Sequence, residues 1–261
     1  MSQETIQTSR AEGILTITLN RPEVHNAFSE QLIADLIAGF QSIRTDEEIY
    51  AVILTGNGKS FCAGADLNWM REMVRYSKEQ NIKDSEKILQ LYETIATCPK
   101  PVIGRINGPA FGGGVGLVAV CDLSVCVPDA KFAFTEVKLG LIPAVISSFV
   151  AQRLSPAVMR RLFMTGERFD AQTAKAIGLV DAVVPVEELN ATIQGWCNQL
   201  RTSGPKAIGE VKTLIATMVH MDPKQYQAST VETIAALRIS PEGQEGMSAF
   251  LEKRKPKWSD E

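Results

Sequence analysis

Short apolar runs rich in β-branched residues recur along most of this chain, at 14–19, 51–55, 102–106, 123–127 and 180–184, with helical patterns between several of them. Strand-length runs separated by helical segments predict an α/β fold with mostly parallel pairing. Between the first two runs, Leu32, Leu36, Phe40 and Ile43 are spaced as one face of a helix, and Ser29 stands where an N-cap is needed. The chain therefore starts as a βαβ unit.

Residues 71–86 are more polar and charged than their surroundings, which predicts a mobile flap. From about Glu187 the strand signal fades, and helical patterns broken at Gly204-Pro205, Asp222-Pro223 and Ser240-Pro241 run to the C-terminus. The expected organisation is an α/β core over residues 1–190 and a helical region over 191–261.

With 261 residues, 45% of them apolar and 22% charged, the chain has the balance of a globular protein with a sizeable core. Its net charge of −3 lacks the cationic excess that a nucleic-acid binder uses to displace counterions, so no nucleic-acid partner is expected. No apolar run approaches the roughly 20 residues of a membrane span, and no leader-like segment opens the chain. A soluble, cytoplasmic protein is expected. Its five cysteines, Cys62, Cys98, Cys121, Cys126 and Cys197, are odd in number, scattered and mostly set among apolar neighbours, which predicts reduced thiols. No C-x-x-C pair is present and the two histidines, His25 and His220, lie in unrelated contexts, so no metal site is expected. His25 reads as structural.

Gly56-Asn57-Gly58-Lys59-Ser60 ends like a phosphate loop, but the position that needs the first glycine is Ile53, leaving a tight turn. Gly112, Gly113 and Gly114 are followed at the third dinucleotide-fold position by Leu117, so a nicotinamide cofactor is only weakly indicated. No G-x-S-x-G elbow is present. What the glycine run offers is bare backbone amides at the start of a buried helix over 115–121, a setting that suits an anion. Residues 60–67, with only small side chains at 62–65, offer a second such approach. The alternative for both segments is close packing of helix on strand. Glu136 sits among apolar residues shortly before Ile142-Pro143. It is either a surface or salt-bridged glutamate, with Lys138 near, or a desolvated carboxyl suited to acid/base work.

Taken together, Leu19-Asn20-Arg21-Pro22, Asn26-Ala27-Phe28, residues 61–67, Asn107 to Gly114, residues 132–143, Gly166 to Val180 and Phe250 to Arg254 resemble the enoyl-CoA hydratase/isomerase, or crotonase, superfamily over nearly the whole chain. The resemblance implies a spiral of ββα turns with a C-terminal helical region that builds trimers, often paired into hexamers. It implies an acyl-CoA substrate, with coenzyme A part of that substrate and no separate cofactor. The backbone N–H groups of Ala65 and Gly113 would form an oxyanion hole for the thioester oxygen, and Glu136 would be the catalytic acid/base. Ala63, Ala65, Asp66, Leu67 and Gly113 would contact the CoA substrate, with Ala63 touching the adenine through its backbone. Phe250 and Lys253 would reach the CoA of a neighbouring subunit. The basic cluster Lys253, Arg254, Lys255 and Lys257 suits CoA phosphates or, alternatively, a solvated tail.

One departure matters. Two-glutamate hydratases carry their first catalytic glutamate on the helix after the glycine run, and the matching position is Gly116. A lone Glu136 would either handle both proton transfers of hydration or shuttle a proton within the substrate, which is Δ3,Δ2-enoyl-CoA isomerisation. Gly116, Pro143-Ala144-Val145-Ile146-Ser147 and Glu242-Gly243-Gln244-Glu245-Gly246 are similar to bacterial 3-methylglutaconyl-CoA hydratases of leucine degradation. A distal substrate carboxylate would then need a partner, with Arg71, Arg75 and Lys138 as candidates. The alternative of another class is a non-catalytic scaffold that binds CoA or RNA; the acidic balance opposes RNA, and the surviving Glu136 opposes a dead site.

Overall fold

The computed structural model describes residues 4–218 and 221–259; His220 lies outside the described residues. The chain opens with β1 (Ile6–Ala11), β2 (Ile14–Leu19), α1 (Glu30–Ser42), β3 (Ala51–Gly56), α2 (Leu67–Met73), α3 (Lys78–Ala96) and β4 (Val102–Ile106). It continues through β5 (Ala110–Phe111), α4 (Gly113–Ala119), β6 (Leu123–Cys126), β7 (Lys131–Ala133), α5 (Ala144–Val150) and α6 (Pro156–Thr165). Next come β8 (Phe169–Asp170), α7 (Ala171–Ala176), β9 (Ala182–Val183) and α8 (Leu189–Arg201), and the chain ends in α9 (Pro205–Met218), α10 (Pro223–Ile239) and α11 (Pro241–Leu251).

Six strands form one sheet in the order β1-β2-β3-β4-β6-β9, and a smaller sheet runs β5-β7-β8. Pairing from β2 to β9 in the large sheet is parallel, as the alternating pattern predicts, with Ile14 opposite Ala51 and Val52 opposite Val102. The antiparallel edge strand β1 was not expected. Its sequence, IQTSRA, is almost wholly exposed and carries no apolar alternation, but its backbone pairs with β2 along its full length, from Ile6 opposite Leu19 to Ala11 opposite Ile14. The run at 180–184 shortens to β9, which meets β6 only through Val125–Ala182 and Cys126–Val183.

Ser29 caps α1 by accepting from the Leu32 N–H at 3.2 Å, and α1 buries Leu32, Ile33, Leu36 and Phe40 as its spacing predicts. Residues 71–86, the stretch expected to form a flap, comprise the end of α2, a short connection and the first turns of α3. A reciprocal capping box, Ser77 with Gln80, starts α3. At the other end of the chain, α8 buries Leu189, Ile193 and Cys197 and packs on β4 and β6. The helices after Gly204 differ, because α9 exposes Val211, Ile215 and Met218 and α10 exposes Val231, Ile234 and Ile239. No helix among the described residues is long and apolar enough to cross a membrane. All five cysteines are buried and unbridged, and burial pushes the thiols of Cys62, Cys121 and Cys126 up to about 12, leaving them protonated.

Candidate active site

Two chain segments, 61–66 and 109–114, run side by side. Phe61 and Cys62 donate to Pro109 O at 3.0 and 3.3 Å, Phe111 donates to Cys62 O at 3.0 Å, and Cys62 and Ala110 form a parallel bridge. On the other side Phe28 donates to Gly64 O (2.7 Å) and accepts from the Asp66 N–H (2.9 Å). These bonds fix both neighbours of Ala65 but leave its own N–H unused. Gly114 lets α4 press against this seam, since a Cβ there would stand 2.1 Å from Cys62 O. Gly64, at φ +89°, lies where a Cβ would be 2.9 Å from Phe111 O and 3.8 Å from the Gly113 nitrogen. Among the described residues, neither the Ala65 nor the Gly113 N–H donates to a protein acceptor, whereas the Gly112 N–H is taken by Ala133 O at 2.9 Å. Because α4 has only seven residues, the free N–H rather than a long helix dipole is what Gly113 offers.

Motif residues from Arg21 to Asn107 hold this seam. Asn26 accepts from the Arg21 N–H and donates from Nδ2 to the carbonyls of Asn57 and Ser60, both at 2.9 Å. His25 Nδ1 lies 2.9 Å from Ser60 Oγ, the structural role expected of it. Asn107 donates to Gly58 O and accepts from the Gly56 N–H. Arg21 donates to Ala27 O and, at 2.7 Å, to Asp66 Oδ2.

Ala65 and Gly113 open onto a cavity of about 460 Å³ that Glu136 also lines. Its other walls are mainly apolar: Phe28, Trp69, Met73, Ile88, Leu141, Ile142 and the segment Pro143 to Ile146, together with Ser85 and Tyr92. Glu136 stands on a short 3-10 turn closed by Gly140 at φ +72°. Its Oε2 is buried without a hydrogen-bond partner, and Oε1 lies where a Cβ at Gly112 would be 3.3 Å away. Burial raises its pKa above the ordinary value of 4.5, against a smaller opposing effect of a backbone hydrogen bond. The salt-bridge alternative for Glu136 is not what the structure shows. Lys138 points elsewhere, its stem lying over Gly166.

Other expected ligands fall outside this cavity within the single chain. Asp66 is 5% exposed and its carboxylate is committed to the Asn68 N–H, as the cap of α2, and to Arg21. Burial alone would raise the Asp66 pKa, but the Asn68 N–H and the Arg21 guanidinium hold it below its ordinary value; its N–H is donated to Phe28 O and its carbonyl accepts from the Met70 N–H. The Ala63 N–H is donated to His25 O at 3.0 Å, leaving its carbonyl. Leu67, Phe250 and Lys253 are exposed and do not line the cavity. In the basic cluster Arg254 is already paired with Glu245 (2.6 Å) and Glu252 (2.7 Å). None of Arg71, Arg75 and Lys138 lines the cavity, and Arg71 donates to Asn68 Oδ1.

At Gly116 the structure answers what replaces a carboxylate. A Cβ there would stand 2.5 Å from Ile146 Cγ2 and 2.9 Å from the Tyr92 ring, so the space is filled from α5 and α3. Sequence reasoning did not single out Tyr92. It lies 24 residues before Gly116 on a separate helix, and no local pattern joins the two.

A family model described as enoyl-CoA hydratase/isomerase matches residues 9–261. The enoyl-CoA hydratase AKT6-1 of Alternaria alternata is 34% identical over 246 residues, covering 93% of this chain and 80% of that protein. Among solved structures, an enoyl-CoA hydratase from Shewanella pealeana superposes with a TM-score of 0.93 at 36% identity, over 97% of this chain and 96% of the other. AtuE of Pseudomonas aeruginosa gives 0.94 at 32% identity, over 98% and 100% of the two chains. With the mixed α/β crotonase-like fold and its C-terminal helices, these matches place the protein in the enoyl-CoA hydratase/isomerase family, to which it belongs as an enzyme.

Proposed function

We propose that the chain adds water reversibly across the C2=C3 bond of a 2-enoyl-CoA, with 3-methylglutaconyl-CoA or a related branched acyl-CoA as substrate. The observation that carries this reading is the unpartnered, buried Glu136 Oε2, in one cavity with the free N–H groups of Ala65 and Gly113. The thioester oxygen accepts both N–H bonds. As a water oxygen bonds to C3, Glu136 takes its proton, and the electron pair of the double bond moves through C2 onto the thioester oxygen. That enolate oxygen binds the two donors more strongly than the ground-state carbonyl does, which lowers the barrier. Glu136 then returns the proton to C2 as the carbonyl re-forms, so H and OH arrive on the same face and the enzyme ends as it began.

Of the segments that carry the resemblance to 3-methylglutaconyl-CoA hydratases, Gly116 and residues 143–147 meet beside the cavity, whereas residues 242–246 lie on α11 outside its lining. Pro143 to Ile146 form its wall, and Ile146 packs on Gly116. This clustering supports a role in choosing the acyl group. The single carboxylate also fits Δ3,Δ2 isomerisation, in which Glu136 would carry one proton between C2 and C4. We further propose that the exposed apolar residues of α9 to α11 associate in a trimer or a dimer of trimers. In that assembly Phe250 and Lys253 would meet a neighbour's CoA, and Ala63 O and the backbone of Asp66 and Leu67 would meet the chain's own. The setting is cytoplasmic, and CoA enters as part of the substrate with no separate cofactor.

The test compares kcat/KM for 3-methylglutaconyl-CoA, its uncharged branched analogue, an unbranched 2-enoyl-CoA and a 3-enoyl-CoA. The expected order places a branched 2-enoyl substrate first, by about tenfold or more, a margin that cavity contacts of roughly 1–3 kcal/mol supply. The two branched substrates differ only in the distal carboxylate and show whether it is recognised. Faster turnover of the 3-enoyl-CoA would replace hydration by isomerisation. Tight binding of these thioesters with no turnover of any would remove both the hydration and the isomerisation reading.

A further inference from the structure

Tyr92 is fully buried in α3, its ring edge-on to Phe28 (centroids 6.5 Å apart, 80° between planes) and tilted against Phe149 at 5.7 Å. Its hydroxyl donates to Gly113 O at 2.8 Å. Tyr92 also lines the cavity that holds Ala65, Gly113 and Glu136, and its ring occupies the face of Gly116. Three consecutive glycines, 112 to 114, make the start of α4 the backbone least able to fix its own dihedrals. The first turn is loosely closed: Val115 donates to Gly112 O at 2.9 Å, and Gly116 donates to the same oxygen at 3.4 Å. Oxyanion donors work only when held in place before the charge develops. Gly112 is held from outside α4 by its N–H bond to Ala133 O, and the phenol supplies a second such tether at Gly113 itself.

We infer that Tyr92 is a positioning residue for the oxyanion hole: its O–H bond to the Gly113 carbonyl pins the glycine whose N–H receives the enolate oxygen, and its ring takes the space of a second acid beside α4. The inference rests on the proposed roles of Ala65 and Gly113. Burial, with smaller contributions from Cys62 and Glu136, pushes the phenol well above its ordinary pKa, so the donor stays protonated through the working range.

The test is Tyr92→Phe in the intact chain of 261 residues, which removes one oxygen and keeps the ring packing. Measured are kcat and KM with the best enoyl-CoA substrate, and Kd for a saturated acyl-CoA and for a 3-oxoacyl-CoA that binds as its enolate. The expected result is a kcat about tenfold lower and 3-oxoacyl-CoA binding weaker by a similar factor, with KM and saturated acyl-CoA affinity within about twofold. That split reflects a hydrogen bond that serves the charged state more than the ground state. A merely structural hydrogen bond would lower the melting temperature and leave both kcat and the affinity ratio unchanged, and that outcome overturns the inference. Failure of the underlying reading looks different. The unmutated enzyme would then bind the 3-oxoacyl-CoA no more tightly than the saturated one.

Discussion

Glu136→Gln lowers kcat for hydration by about 10²-fold or more while CoA-thioester affinity stays within a few-fold, because positioned acid/base catalysis contributes about 10²–10⁴-fold. Among the described residues the cavity offers no second carboxylate to take over, since the position on α4 where one would stand is Gly116. The pH profile of the unmutated enzyme adds a sign that can be checked. Only the ionised carboxylate can take a proton from water, so hydration is present above the Glu136 pKa and lost as pH falls through it. Burial places that acidic limb above the ordinary value of 4.5. Stability runs the other way. A carboxyl whose folded pKa is raised contributes full stability only while protonated, and its ionisation at higher pH weakens the fold. Glu136→Gln therefore holds or raises the melting temperature near neutral pH as activity disappears. A rate within twofold of the parent, or an acidic limb below 4.5, would remove Glu136 from the chemistry.

Gly114→Ala has the next largest expected effect, and it acts without touching the carboxylate. The added methyl would sit 2.1 Å from Cys62 O and 2.9 Å from Cys62 C, both backbone atoms that no rotamer change can move aside. Relief requires α4 to part from the Cys62–Ala110 seam, which shifts the Gly113 N–H relative to that of Ala65. Loss of one oxyanion donor costs about 10²–10³ in kcat. Overpacking adds a destabilisation of about 1–3 kcal/mol. Steady-state kinetics together with urea unfolding check both. A variant destabilised but with kcat within threefold of the parent would mean that the two N–H groups do not act as one hole.

Much of the α/β core is legible in the sequence because β2, β3, β4 and β6 are buried and write their positions as apolar runs. The edge strand β1 is not, since a strand covered on one side only by backbone pairing needs no apolar side chains. The helices within the polar stretch at 71–86 are hidden for a related reason. The first turns of α3 are exposed, and the signal that defines them is the pair Ser77 and Gln80 rather than hydrophobic spacing. At the site, Glu136 and the small residues of both segments stand out locally, but the glycines' purpose does not. Gly114 and Gly116 differ in what crowds them, a backbone carbonyl in one case and Tyr92 with Ile146 in the other, and only the packing separates these. Asp66 shows the converse. Its place in a motif suggests a ligand contact, whereas its carboxylate caps α2 and binds Arg21, and so braces the segment that presents Ala65.

The most direct test is a crystal structure with a non-hydrolysable acyl-CoA bound. The thioester oxygen should lie within about 3.1 Å of both the Ala65 and Gly113 nitrogens. A Glu136 carboxylate oxygen should stand within one water of C2 and C3, and Tyr92 should remain bonded to Gly113 O. A thioester oxygen that reaches neither amide, or an acyl chain that leaves the Glu136 cavity empty, would contradict the account.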